Sequence, residues 1–598
     1  MNLQNIIFPT PGVCYEEEMF YHRDYDKTIY NPVENCIIFE KDGIVKFDSY
    51  FNSFSICKWA KYTKIENVSL KLNIEGAFLI KLFNCEKKGE ALQVKNICVI
   101  KSEDLNKKEV VVEFPGFYQN GVHYFELQSL EDDCKFYGGE YFTTIADTKI
   151  NKVNIAINMC SYKREKYVYR TVELLNKSFF ENCDSELKEH LELYIIDNGE
   201  SIDKKIESEK IHLFRQGDYG GAGGFTRGLM EILNDKNKYD FTHVIMMDDD
   251  ILIQKDSIIK TYAFLKVIKE EYKSSFIGGA LLRTDMQYLQ YISGGHWDTE
   301  KFYVMHNLMR NLKEFDDVIA NEMDSGAQIN GWWYHCIPID VINDRNLPNP
   351  VFFHLDDVEY DLRNCKHLIL LNGICTWHEP FEYKPSSYVK YFNTRNIAIT
   401  HAIHYKNFDV QKMINFVKDS VHIELSCFRY KDADLVLRGV EDFMKGINWI
   451  KETEPISLFE DTLECGYKKV DIKQLPIRFN LEMYQESIDF KESRIKSLIR
   501  KYTKNGHLLR ANCIKIVPMF VPNPSCFYRA KSVLHYDAVT EKGFITDRSY
   551  KELIRIYNRR RKVINLIKKD FNRVALEYRQ HINELRTREF WDMYLKIK

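Results

Sequence analysis

The chain is 598 residues long, 45% hydrophobic and 29% charged, with a formal net charge of −3. That length exceeds what one hydrophobic core supports and predicts about three domains. A near-neutral balance gives no basis for a general nucleic-acid binder. The 15 cysteines are odd in number and contain no C-x-x-C pair, which predicts reduced core thiols rather than zinc ligands or a disulfide framework.

The start, MNLQNIIFPTPGVCYEEEMF, lacks a basic n-region and a long apolar h-region, and no window nears the ~20 apolar residues of a membrane span. These features predict a cytoplasmic protein. Residues 1–150 read as short alternating strands, among them VSLKLNIEG (68–76), AFLIKLFN (77–84), KEVVVEF (108–114) and HYFELQSL (123–130). That texture predicts an N-terminal β-sandwich.

From 151 to 400 apolar strand-length runs alternate with helical patterns. The runs are VNIAINM (153–159), ELYIID (192–197), IHLF (211–214) and THVIMM (242–247); helices are expected in 164–180, 223–235 and 256–273. Strand–helix alternation predicts a doubly wound α/β sheet, whose ligands bind beyond the carboxyl ends of the strands. Residues 401–598 read as mostly helical. The last 48 residues carry 14 Lys/Arg against 6 Asp/Glu, a net +8. A solvated helix face and attraction to anionic lipid head groups explain that charge equally well. Peripheral attachment to the inner face of the cell membrane is therefore an open expectation.

Five stretches carry chemistry. In THVIMMDDDI the triplet Asp248–Asp250 follows a buried strand, and side chains at i and i+2 share a face. Asp248 and Asp250 then converge, with Asp249 turned elsewhere, and two converging carboxylates call for a hard divalent cation, Mg²⁺ or Mn²⁺. RQGDYGGAGGFTRG (215–228) places five glycines before a helical run, where backbone N–H groups and the helix N-terminus suit phosphate. It is neither a Walker loop nor a dinucleotide fingerprint.

NGWWYHCIP (330–338) offers adjacent tryptophans, flat platforms for a sugar or simply core. FFHLDDVEYDLR (352–363) brings Asp356 and Asp357 to a helix start, as caps or, for Asp357, as a general base. His378, in TWHEP, has value as a ligand only if it faces Asp248 and Asp250.

The ordered set N-x-C-S-Y-K-R-E, I-I-D-N-G, G-G-A-G-G-F-T-R-G, M-D-D-D-I, W-W-Y-H, D-D-V-E-Y-D-L-R and W-H resembles the family 2 glycosyltransferases of GT-A fold. Within them it looks like the bacterial galactofuranosyltransferases, including the cell-wall galactan polymerase type. YFNSFSICKWAKYT (50–63) is similar to that family's N-terminal β-domain, and the likeness weakens through the helical C-terminus. The resemblance implies a metal held by Asp248, Asp250 and His378, and a uridine nucleotide held by Arg164 and Asp197. It implies a donor border at Gly223, Gly224, Arg227 and Asp249, and Asp357 as catalytic base. Trp332, Trp333, His335 and Asp356 fall on the acceptor side.

One departure stands out: a glutamate expected near 288–298 is absent from YLQYISGGHWD. The expected activity is inverting, metal-dependent transfer of galactofuranose from its UDP donor to a cell-envelope or capsular glycan, lipid-linked or not. The competing readings are the same mechanism with another nucleotide sugar, and an inactive glycan-binding protein. The N-terminal β-domain suits product-glycan binding and homo-oligomerisation equally.

Overall fold

The computed structural model describes residues 1–103, 106–117, 120–383, 386–511, 513–520 and 522–597. Lys384 and Pro385 of the stretch around His378, and Lys598 of the basic C-terminal segment, lie outside them.

Residues 1–150 form two antiparallel sheets, of six and five strands, over a shared core. Period-2 patterning decides the faces: along Ser69–Glu75, Leu70, Leu72 and Ile74 are buried while Lys71, Asn73 and Glu75 point outward. The expected strands are present, and Phe78–Lys88 runs on into a hairpin with Ala91–Ser102. That twelve-residue strand escaped the sequence reading because it lies at a sheet edge and buries almost nothing, leaving no alternation to detect.

The central sheet contains β1 (Ile155–Ser161), β2 (Leu191–Asp197), β3 (Ile211–Arg215), β4 (His243–Asp248), β5 (Phe276–Arg283), β6 (His335–Pro338) and β7 (Leu368–His378). Strands β3, β2, β1 and β4 run parallel in that spatial order. Then β6 joins antiparallel, followed by β5, which pairs in parallel with β7. Helices α1 (Glu165–Leu175) and α2 (Gly220–Tyr239) connect the parallel strands, and α3 (Lys255–Val267) follows β4. In β1 the buried side chains alternate between two cores. Ile155, Ile157 and Met159 join the core shared with the N-terminal sheets, while Ala156 joins the core under the C-terminal helices. The carboxyl ends are in register: Ser161 lies opposite Asp197, and Cys160 opposite Asp248.

Beyond β6, α4 (Asp356–Asn364) precedes β7, and α5 (Tyr388–His404) runs through residue 400, where the sequence suggested a boundary. The C-terminal part is helical, with α6 (Val410–Ser426), α7 (Arg494–Tyr502) and the 32-residue α8 (Tyr550–His581). It also holds an unexpected four-stranded sheet, built on a hairpin of Ala530–Asp537 with Lys542–Asp547. Strand Ala530–Asp537 is buried on both faces over its second half, so no polar–apolar alternation marks it. All 15 cysteines are free; eight are buried in the core, while Cys183 and Cys465 are exposed.

Candidate active site

The site is assembled at the carboxyl ends of β1, β2 and β4. From Asp248, the last residue of β4, into the bend that follows it, exposure alternates. Asp249 is buried and accepts a hydrogen bond from Ser161 Oγ at 2.7 Å, whereas Asp248 and Asp250 keep part of their surface exposed. Arg164, at the start of α1, bridges the triplet: its guanidinium lies 3.0 Å from Asp249 Oδ1 and 2.8 Å from Asp250 Oδ2. His378, the last residue of β7, reaches the same point, with Nε2 3.4 Å from Asp250 Oδ1. Burial and then the charge of Asp250 push the Asp248 carboxyl up to about 7. Such a cluster holds its charge poorly without a cation. Two carboxylates and an imidazole form a donor set that fits Mg²⁺ or Mn²⁺. Among the described residues no three such side chains stand in a ready-made metal arrangement, and Arg164 occupies part of the space between them.

The glycine-rich stretch is placed differently from the expectation of a loop before a helix. Helix α2 begins at Gly220, so four of the five glycines lie inside it. The reason is packing. A Cβ on Gly224 would stand 2.0 Å from Cys160 Sγ, and one on Gly228 1.9 Å from Asn158 Oδ1, so α2 lies directly on β1. A Cβ on Gly223 would meet Tyr219 Cβ at 2.4 Å. Gly223 and Gly224 are both buried. Arg227 donates to Glu231 Oε1 at 2.6 Å, one turn along the same helix.

Asp197 is fully buried. Its two carboxylate oxygens accept from the backbone N–H groups of Gly199 (3.1 Å) and Ile202 (2.8 Å), which shapes the turn after β2.

The Asp356–Asp357 pair begins α4, and Asp356 Oδ2 lies beside the start of α2, where a Cβ on Gly221 would stand 3.8 Å from it. The loop before α4 is strained: Phe352, His354 and Leu355 all have left-handed φ, at 68°, 64° and 65°. Such residues cost about 1–3 kcal/mol each and persist only where their surroundings hold them. Asn396 on α5 donates to the Phe353 and His354 carbonyls at 2.8 Å each, and the Ala222 N–H of α2 donates to the Phe352 carbonyl at 3.2 Å. Gly220 takes a φ of 69° with its Cα against that carbonyl, where a Cβ would stand 2.1 Å away. The glycine-rich helix start and the acidic loop are thus in contact, and Asp356 is close enough to Asp248 to feel its charge.

Burial, then Asp357, pushes Asp356 up to about 8; burial pushes Asp357 up to about 6, against a 2.7 Å hydrogen bond from the Val358 N–H. Asp356 is buried, while Asp357 keeps part of its surface open. The helix is anchored from behind by Glu359, which meets Arg586 (2.8 Å), His404 (2.9 Å) and Arg363 (3.3 Å).

Both tryptophans are buried. Trp333 donates its indole N–H to the Gly279 carbonyl at 2.7 Å. Trp332 packs edge-on between Phe225 of α2 and Tyr360 of α4, and its buried N–H has no partner among the described residues. His335 is completely enclosed: its Nε2 lies 3.0 Å from Asp361 Oδ1, and Asp361 also accepts from the Asn330 N–H at 2.9 Å. His335 therefore holds α4 against the sheet and does not reach the opening.

One residue escaped the sequence reading. Tyr303, on the hairpin of Gly295–Asp298 with Phe302–Met305, lays its ring on Gly295, where a Cβ would stand 2.4 Å from Cε2. Its hydroxyl is buried without a partner among the described residues, and burial, then Asp357 and Asp361, raise its pKa well above the ordinary phenol value. No local pattern could have revealed it, because it is a hairpin tyrosine brought to Asp357 only by folding.

Residues 3–144 match the family model "Galactofuranosyltransferase 2 N-terminal". Over 479 residues the chain is 23% identical to the galactofuranosyltransferase GlfT2 of Mycobacterium tuberculosis, covering 74% of this chain and 72% of that protein. The GlfT2 of Mycolicibacterium smegmatis is 22% identical over 477 residues, with 74% and 71% covered. The chain is galactofuranosyltransferase-like. By that likeness it is a glycosyltransferase, and the matches span both the N-terminal sheets and the site just described. A carbohydrate-binding module solved with β-1,4-galactotriose overlays 21% of the chain and 87% of itself, at 8% identity and a TM-score of 0.14, a likeness too slight to argue from.

Proposed function

We propose that this galactofuranosyltransferase-like chain transfers galactofuranose from UDP-galactofuranose to a hydroxyl of a cell-envelope or capsular glycan, inverting the anomeric centre in a single displacement. The observation that carries the reading is the convergence of two acidic clusters. Asp248, Asp250 and His378 stand at the ends of β4 and β7, and Asp356, next to Asp357, lies against the glycine-rich start of α2, close enough to Asp248 to feel its charge.

In this reading Asp248, Asp250 and His378 would hold a divalent cation, Mg²⁺ or Mn²⁺. When bound, that cation supplies positive charge that makes the nucleoside diphosphate a better leaving group. Arg164 lies against the same carboxylates and is placed to turn toward the diphosphate. Burial and Asp361 make Asp357 a stronger base than a free aspartate, and its exposed edge suits it to meet substrate. Asp357 takes the acceptor O–H proton as that oxygen attacks the anomeric carbon. The bond from that carbon to the diphosphate breaks, and its electron pair leaves with UDP. Asp356, buried and more readily protonated, is suited to donate a hydrogen bond beside the base. The buried hydroxyl of Tyr303 offers a further partner for an acceptor sugar next to Asp357.

The deciding experiment is UDP release by purified protein with Mn²⁺, a panel of UDP-sugars and a mixed glycan extract. Release with the galactofuranose donor alone supports the assignment. Release with another sugar keeps the mechanism and overturns the donor, and no release while UDP binds favours an inactive glycan-binding protein.

A further inference from the structure

Arg283 is the last residue of β5 and lies in register opposite His378, the last residue of β7. An arginine is buried only where its charge is paired, and this one is 6% exposed. Its guanidinium forks onto Asp285, with Nε 2.9 Å from Oδ1 and Nη2 2.8 Å from Oδ2, and its Nη1 donates to Glu382 Oε1. The backbone makes a parallel connection, because the Thr284 N–H donates to the His378 carbonyl at 3.2 Å. Glu382 belongs to the short turn Phe381–Tyr383, just past His378. Its neighbour Phe381 lays its ring 5.0 Å from the His378 imidazole, tilted by 38°. Tyr291, on the strand Leu289–Ile292 that pairs with β5, meets Phe381 edge-on at 5.7 Å. The imidazole thus meets both Asp250 Oδ1, at 3.4 Å, and the Phe381 ring, and the residue next to that ring is tied to β5 by Arg283.

We infer that Arg283 is a positioning residue for His378: by tying Glu382 to the end of β5 it fixes Phe381 against the imidazole and keeps Nε2 aimed at Asp250. A histidine ring turns readily about its terminal torsion, so a ligand histidine needs a neighbour that holds its orientation. The role suits arginine in particular. A planar guanidinium holds Asp285 through two parallel hydrogen bonds and still donates to Glu382, whereas a lysine offers one compact charge. Arg283 acts on a bound cation only through His378, so the inference rests on the reading of Asp248, Asp250 and His378 as its ligands. It does not depend on the role of Asp357.

Calorimetry of UDP binding to the full-length protein, in Mn²⁺ and in chelator, tests it. The wild type is expected to bind UDP more tightly with Mn²⁺. Arg283→Met and Phe381→Ala are each expected to cut that enhancement by about tenfold or more, the scale on which partners of a ligating histidine act. UDP affinity in chelator should be unchanged. Phe381 is 42% exposed, so Phe381→Ala should melt as the wild type does, which separates positioning from folding. Phe381→Tyr keeps the ring and should restore the enhancement. Arg283→Lys keeps the charge without the fork and should remain impaired. Full enhancement in Arg283→Lys would assign the effect to charge alone and overturn the inference. Full enhancement in both Arg283→Met and Phe381→Ala would overturn it while leaving the metal reading in place. Equal wild-type affinity with and without Mn²⁺ would overturn the metal reading, and the role of Arg283 with it.

Discussion

Asp250 and His378 meet at 3.4 Å, although one lies in the bend two residues past β4 and the other ends β7. The short strand Leu252–Ile253, two residues past Asp250, pairs antiparallel with Thr376–Trp377 of β7, so that direct pairing, with the parallel pairing of β7 on β5, fixes the contact. That geometry brings the imidazole against Asp250 and near enough to Asp248 to act on its carboxyl. Asp250→Ala and His378→Ala are each expected to lower metal-supported turnover by at least about a hundredfold. They should also weaken UDP binding in the presence of Mn²⁺ but not in chelator, as read by calorimetry. Equal UDP affinity with and without Mn²⁺ in the wild type would remove the metal from the assignment.

Asp357→Asn keeps the shape of the side chain and removes the base. Transfer should fall by about 10²–10⁴-fold while UDP-sugar affinity is retained, since a positioned general base contributes on that scale. Turnover close to wild type would refute Asp357 as base.

The raised value of Asp357 sets a pH dependence. A base works only when ionised, so kcat/KM should rise with pH through about 6 and fall away below it. In Asp357→Asn the residual rate should lose that limb. A profile unchanged by the substitution would assign the titration to another group.

Tyr303→Phe removes one buried hydroxyl that has no partner among the described residues. Thermal stability should hold or rise slightly, because a desolvated, unsatisfied group is lost. If the hydroxyl meets the acceptor, kcat/KM for acceptor should fall by about tenfold while hydrolysis of the donor is unchanged. A fall in donor hydrolysis of the same size would instead point to a structural effect on Asp357.

Glu359 is buried, and the cations Arg363 and Arg586 with His404 hold its carboxyl well below the ordinary range against the opposing effect of burial. A depressed carboxylate contributes stability that is present above its unfolded value and is lost as pH falls through its folded one. Acid unfolding should therefore be less steep in Glu359→Gln. At neutral pH the same substitution should cost about 3–5 kcal/mol, the scale for removing one partner of a buried ion pair. Denaturant melts at several pH values check both. A neutral-pH loss under about 1 kcal/mol, the range of exposed pairs, would contradict the buttressing of α4 by the C-terminal segment.

Gly224→Ala tests the packing of α2 on β1. The added methyl would press on Cys160 Sγ at 2.0 Å, and overpacking of this kind costs about 1–3 kcal/mol. Cys160→Ala, which removes that sulfur, should restore much of the loss. Failure of the rescue would place the strain in the neighbouring Asn198.

What the sequence determined by itself was local and periodic. Apolar runs bounded by helical patterns set the parallel strands, and the period of two set Asp249 apart from Asp248 and Asp250, as its bond to Ser161 shows. The same local signals failed where burial has no alternation, as in the edge strand Ala91–Ser102 and the doubly buried Ala530–Asp537. Only the tertiary structure decided which chemistry-bearing residues share a space. His335 lies as near the tryptophans in sequence as any acceptor ligand could, yet a buried carboxylate, Asp361, claims it. The glycines of α2 resemble a phosphate loop in sequence, but Gly224 and Gly228 are consumed by close packing on Cys160 and Asn158 of β1 and Gly220 by the Phe352 carbonyl. Tyr303 carries no motif and reaches Asp357 because Gly295 leaves room for its ring. A helical stripe such as α7 looks like core in sequence, since periodicity records that a face is apolar. Whether the protein itself covers that face depends on distant segments, which no local pattern encodes.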